Sequence, residues 1–161
     1  EYFEKVASLL TDNGVALIHT IGSARPPHAS NPWINKYIFP GAYAPSLSEI
    51  TPEIERAGFY IADVEVLRLH YAETLRAWRR RFLANRSRVR ELHDERFCRM
   101  WEFYLAGSEA TFRHGGHVVF QIQVAKRQDA VPLTRDYIAG AEAAYRERES
   151  RDRARGVTAA E

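Results

Sequence analysis

Val15 to Ile18 is a run of four apolar residues entered from Asn13-Gly14, and such a run reads as a fully buried strand. A buried strand needs a sheet with covered faces, so an α/β architecture frames whatever else the chain contains. Polar residues follow at once, as His19-Thr20-Ile21-Gly22-Ser23. Open α/β sheets hold ligands beyond the carboxyl ends of their strands, which places His19 where a site belongs.

The remaining pattern fits that frame. Tyr2, Phe3, Val6, Leu9 and Leu10 recur at helical spacing ahead of the strand. Ala24 to Pro45 holds five of the seven prolines with aromatic residues between them, which predicts an ordered, packed loop without regular helix. Ser46 and Glu49 form a capping-box pattern opening a helix to about Arg56, where Gly58 stops it. Tyr60 to Leu69 alternates apolar and polar residues as a half-buried strand. Tyr71 to Arg113 has hardly a breaker and reads as two or three helices, interrupted near Asn85 to Ser87 and near His93 to Glu95. Gly115-Gly116 then turns the chain into the strand His117 to Ala125. Two strands therefore flank a helical insertion, and the order is that of half an α/β sandwich. Residues 1–127 form the folded part, and 128–161 a charged tail, partly helical or disordered, in which Ser150 to Glu161 has almost nothing to bury.

At 161 residues the chain is long enough for one domain with a real core. It opens in helical pattern without an initiator methionine, so it reads as a piece of a longer protein whose other half precedes Glu1. No glycine-rich nucleotide loop of the GxGxxG kind is present, so a nucleotide-like cofactor would have its main site upstream. No apolar run approaches the ~20 residues that span a bilayer. The single cysteine, Cys98, makes an internal disulfide impossible, and a cytoplasmic location is the default. The net charge is only +2, but the arginines concentrate between Arg68 and Arg99. They form either a solvated helix face or a basic surface for anionic headgroups.

Several segments together carry a resemblance. Ile18-His19-Thr20-Ile21-Gly22, Pro32-Trp33-Ile34-Asn35-Lys36-Tyr37-Ile38-Phe39-Pro40-Gly41, Leu47-Ser48-Glu49-Ile50, His70-Tyr71-Ala72-Glu73-Thr74-Leu75 with Trp78, Phe97-Cys98-Arg99-Met100-Trp101 and Phe103-Tyr104-Leu105 resemble the C-terminal part of the cyclopropane-fatty-acyl-phospholipid synthases and mycolic acid cyclopropane synthases. The match runs in order from Glu1 to about Arg127. The resemblance implies the C-terminal half of a class I, Rossmann-like, S-adenosylmethionine-dependent methyltransferase fold. It also implies S-adenosyl-L-methionine as donor and addition of a methylene across the double bond of an unsaturated phospholipid acyl chain, through a carbocation. A bicarbonate held beside the reacting carbons is implied as well. On this chain its family ligands fall on His19, the Ile21 backbone and Tyr71. The family's glutamate and cysteine ligands belong to motifs upstream of Glu1, and Cys98 is not that cysteine. The piece alone is therefore expected to be inactive, with no main cofactor-binding residues of its own.

Elementary chemistry agrees with that ligand set, because an anion beside hydrocarbon needs directed donors, and an imidazole N–H, an amide N–H and a phenol O–H are such donors. Without the resemblance, His19 reads as a satisfied strand-end residue and Tyr71 as a helix-start aromatic packed on the core. Trp33, Tyr37, Phe39, Tyr43, Trp101 and Tyr104 are candidates to line the acyl chain, drawn from the same residue types that build cores. A peripheral contact with the anionic inner membrane face is expected through Arg76, Arg79, Arg80, Arg81, Arg86, Arg88 and Arg90, unless these pair with Glu73, Glu91, Asp94 and Glu95. No nucleic-acid partner is expected, since no such motif accompanies the arginines. A homodimer is left open. The competing reading is a non-catalytic lipid-binding or membrane-associated module on the same fold.

Overall fold

The computed structural model describes residues 1–154. Helix α1 (Tyr2–Leu9) leads into strand β1 (Val15–Ser23), followed by α2 (Pro32–Tyr37), α3 (Leu47–Arg56) and β2 (Tyr60–Leu67). The insertion is α4 (His70–Ala84), α5 (Arg86–Leu92) and α6 (Glu95–Ala110), closing in a π-helical turn (Thr111–Gly115) before β3 (His117–Ala125) and α7 (Asp136–Ala154). The breaks between the inserted helices fall where the sequence pattern puts them. The strands lie in the order β1-β3-β2, and β3 is antiparallel to both neighbours. β1 and β2 therefore run in the same direction, with β3 returning between them.

Strand alternation sends successive β3 side chains to opposite faces. Val118, Phe120, Ile122 and Val124 join Ile18, Ile50, Ile54 and Phe59 in a core roofed by α1 and α3. On the other face, Val119 enters a second core with Ala72, Leu75, Phe82, Cys98, Tyr104, Leu105 and Phe112 of the inserted helices. Burying Ile54, Leu75 or Phe120 completely contributes about 1.5–3 kcal/mol each.

Helix α3 begins as its sequence requires. Glu49 Oε2 accepts from the Ser46 backbone N–H at 2.8 Å, which is the return bond of the capping box. Gly58, at φ +79°, ends it.

Three expectations are corrected. The stretch Val15 to Ile18 is not fully buried: Ile18 is, whereas Leu17 is 59% exposed, because β1 is an edge strand whose outward-facing positions nothing covers among the described residues. The proline-rich stretch contains a helix after all. Pro32 occupies its first turn, where the missing N–H costs nothing, and the Asn31 side chain accepts from the Trp33 and Ile34 amides. Helix α7 extends to Ala154, past the Ser150 at which fraying is expected; i,i+4 pairs such as Arg146–Glu142 and Arg153–Glu149 line this exposed helix. The rest of that expected tail, residues 155–161, lies outside the described residues.

Candidate active site

The site grows from the geometry of β1. His19, Ile21 and Ser23 alternate with inward residues and share one face, opposite Gln121, Val119 and His117 of β3. The Ser23 N–H donates away from β3, to the Pro45 carbonyl at 2.9 Å, while Ala24 N–H donates back to Gly116 on the β3 side at 2.8 Å. Antiparallel pairing repeats every two residues, so the Ile21 and His19 amides also point away from β3, toward the open edge of the sheet. The Ile21 N–H is thus a backbone donor that the ladder does not use.

His19 is exposed, and its Nδ1 lies 3.2 Å from Gln121 Nε2. With that amide donating, Nδ1 accepts and the ring proton sits on Nε2, where it remains a donor. Tyr71 stands in the first turn of α4, with its ring 5.0 Å from Phe112 and 5.7 Å, edge on, from Trp78. It packs against the core that contains Val119, the cross-strand partner of Ile21. His19 and Ile21 thus share one face of β1, and Tyr71 is linked to them only through the core that holds Val119. This donor set, one imidazole N–H, one unpaired amide and one phenol, fits a small oxyanion such as bicarbonate.

Helix α2 lies over α6 and gathers most of the aromatic candidates. Trp33 meets Phe103 edge on at 4.8 Å and Tyr37 at 5.6 Å. Tyr104 contacts Trp101 at 5.0 Å and Phe39 at 5.8 Å. Burial pushes the Tyr104 phenol above its ordinary pKa, and neighbouring Tyr71 adds to this against a hydrogen bond with Ser108. Tyr43 stands apart, donating its hydroxyl to Glu49 Oε1 at 2.7 Å beside the start of α3.

The arginines divide. Arg76 pairs with Glu73, Arg79 and Arg86 with Glu102, and Arg86 with Glu95 at 2.5 Å. The Arg86 guanidinium holds the Glu95 carboxyl below the usual carboxylate range. Asp94 instead caps α6, accepting from the Phe97 amide at 2.6 Å. Arg80, Arg81, Arg88 and Arg90 are exposed. Among the described residues no helix is long and apolar enough to cross a membrane.

Sequence reasoning missed a polar group at the C-terminal end of β1. The His28 and His117 rings lie 6.5 Å apart, Ser23 Oγ is 3.4 Å from His28 Nε2, and Arg25 donates to the His114 carbonyl at 3.1 Å. The group assembles only when β1 pairs with β3, so no local spacing announces it.

The profile of the family described as mycolic acid cyclopropane synthetase matches residues 1–122. The tuberculostearic acid methyltransferase of Mycobacterium tuberculosis is 43% identical over 128 residues, covering 74% of this chain and 30% of that protein. The cyclopropane-fatty-acyl-phospholipid synthase of Escherichia coli is 39% identical over 112 residues, covering 70% of this chain and 29% of that one. Among solved structures, mycolic acid cyclopropane synthase CmaA1 complexed with SAH and CTAB superimposes with a TM-score of 0.70 at 29% identity, over 76% of this chain and 48% of that chain. The chain thus spans under a third of the length of these curated relatives and about half of the solved one. Its α/β fold, with helices inserted before the last strand, is that of Rossmann-like S-adenosylmethionine-dependent methyltransferases, and the chain belongs to the mycolic acid cyclopropane synthetase family.

Proposed function

We propose that this chain is the acyl-lipid and bicarbonate side of an enzyme that adds a methylene from S-adenosyl-L-methionine across the double bond of an unsaturated phospholipid acyl chain. The observation that carries this reading is the Ile21 amide, which points away from β3 on the strand face that also holds His19, while Tyr71 packs on the core that contains Val119, the partner of Ile21. Bicarbonate bound there would supply the base that takes the proton lost on ring closure. His19 Nε2–H, the Ile21 N–H and the Tyr71 hydroxyl hold and orient it, because bare charge beside hydrocarbon is expensive. Trp33, Phe39, Trp101 and Tyr104 supply apolar surface for the acyl chain, and their ring faces favour a passing cation. Arg80, Arg81, Arg88 and Arg90 supply a basic surface for the anionic inner face of the membrane, each worth about 1 kcal/mol near such a surface.

The test gives the intact protein labelled S-adenosylmethionine and vesicles of unsaturated phospholipid, then reads the acyl chains by mass. A gain of one methylene with loss of the double bond is the expected result. Vesicle binding without any transfer would overturn it in favour of a non-catalytic lipid-binding module. A methyl branch in place of a ring would overturn the ring-closing step. His19→Ala and Tyr71→Phe should each lower turnover about 100-fold, in the range for loss of one positioned catalytic donor, while cofactor affinity is unchanged. Unaltered turnover in both variants removes these residues from the site.

A further inference from the structure

At the exit of β1, two segments 89 residues apart bring cationic and donor groups together. Ser23 is the last residue of the strand face that carries His19 and Ile21, and its Cα partner is His117. Ser23 Oγ accepts from the Arg25 backbone N–H at 3.0 Å, donates to the Arg25 carbonyl at 3.3 Å and lies 3.4 Å from His28 Nε2, so it holds the loop that carries Arg25 and His28. Arg25 runs over Gly116, where a Cβ would come within 2.8 Å of Arg25 Nε. Gly116, at φ +86°, is therefore the residue that lets the guanidinium approach, and one Arg25 nitrogen is fastened to the His114 carbonyl. The His28 Nδ1 lies 3.1 Å from the Ala29 carbonyl, which fixes the proton there and aims Nε2 at the group. His117, backed by the Phe112 ring at 5.7 Å, has a buried Nδ1 with no partner among the described residues.

Such a group lacks its complement. Buried polar atoms are nearly always satisfied, and an orphaned imidazole nitrogen calls for a ligand or an ordered water. Glu49, whose carboxylate feels His28, is already engaged by the Ser46 N–H and the Tyr43 hydroxyl. We propose that Arg25, His28 and His117, arranged around Ser23, form a phosphate-binding site. A tetrahedral oxyanion presents several acceptors to a guanidinium fork and to the N–H groups of protonated imidazoles. The phosphodiester of a lipid headgroup and free phosphate share this chemistry, and only the lipid source rests on the function proposed above.

The intact protein is titrated, at ionic strength held constant with chloride, with inorganic phosphate, with short-chain phosphatidylglycerol below its micelle concentration, and with the matching diacylglycerol. Imidazole resonances of His28 and His117 report binding. Both should shift with phosphate and with the phosphatidylglycerol but not with diacylglycerol, and His117 should titrate at higher pH in the bound form. Arg25→Gln and, on the exposed loop, His28→Gln should each weaken binding about tenfold, the loss of one charge-assisted hydrogen bond. Shifts with inorganic phosphate alone keep the site and assign free phosphate as its ligand. Silent imidazoles, or equal affinity in both folded variants, overturn the proposal. Failure of methylene transfer with intact phosphate shifts removes the function proposed above and leaves this site standing.

Discussion

At the scale of single residues, two positions show how much depends on atoms that sequence pattern does not weigh. Gly22 lies where a Cβ would come within 2.3 Å of the Phe120 ring and 2.7 Å of the Pro45 carbonyl. Gly22→Ala should therefore destabilise by about 3 kcal/mol, the upper part of the range for overpacking, read as a lower urea midpoint at unchanged slope. A midpoint equal to that of the parent would show that the ring moves aside freely. His117 is the second. Burial foremost, then the charges of His28 and Arg25, hold its pKa below the ordinary value of about 6.5. Between the folded and unfolded pKa the unfolded chain binds more protons, so stability falls as pH drops through about 6.5 and levels off below the folded pKa. Urea midpoints taken at about pH 7.5 and about pH 5.5 should differ in the parent and differ less in His117→Gln. His19 and Tyr71 are singled out by the motifs around them, which lie within a few residues of each. His28 and His117 are not, because 88 residues separate them and only strand pairing makes them neighbours.

Among the elements, the ones read correctly are those whose ends are set by local chemistry. Helix α3 starts at a capping box and stops before a glycine with positive φ, and both signals lie within a few residues of the ends they set. Helix α2 escaped because the same proline that argues against helix in an interior is welcome in a first turn. Its six residues are too few to stand without a cap and a packed face. Asn31→Ala should cost about 1 kcal/mol and should speed hydrogen exchange at the Trp33 and Ile34 amides first. Exchange there at the parent rate would mean that packing of Trp33 on Phe103 alone secures the helix. Beyond β3, the start of the tail is tied down more firmly than its composition suggests. Arg135 reaches Asp63 at 2.9 Å, Tyr137 donates to Gln123 at 2.8 Å, and Lys126 donates to the Leu10 carbonyl at 2.6 Å.

For the molecule as a whole, the decisive arrangement is one strand serving two cores. β3 offers Phe120, Ile122 and Val124 to α1 and α3 on one side and Val119 to the inserted helices on the other. Leu75→Ala, emptying the centre of the helical core, should cost about 2–5 kcal/mol. Its exchange protection should fall across α4 and α6 while that of β1 to β3 persists, and uniform loss over both cores would show instead that the two melt as one unit. Local pattern along the chain is enough for the order of the strands, the helical insertion before the last strand and the family, though not for helix α2, because periodicity, capping and motif spacing act over short distances. Only the tertiary structure decided that β1 is a half-exposed edge strand. It likewise decided that the Ile21 amide points away from β3, that Tyr43 stands apart from the other aromatic candidates, and that Ser23, Arg25, His28 and His117 converge. Each of these follows from which strand lies beside which, and pairing partners are chosen by surfaces that meet only after the chain has folded.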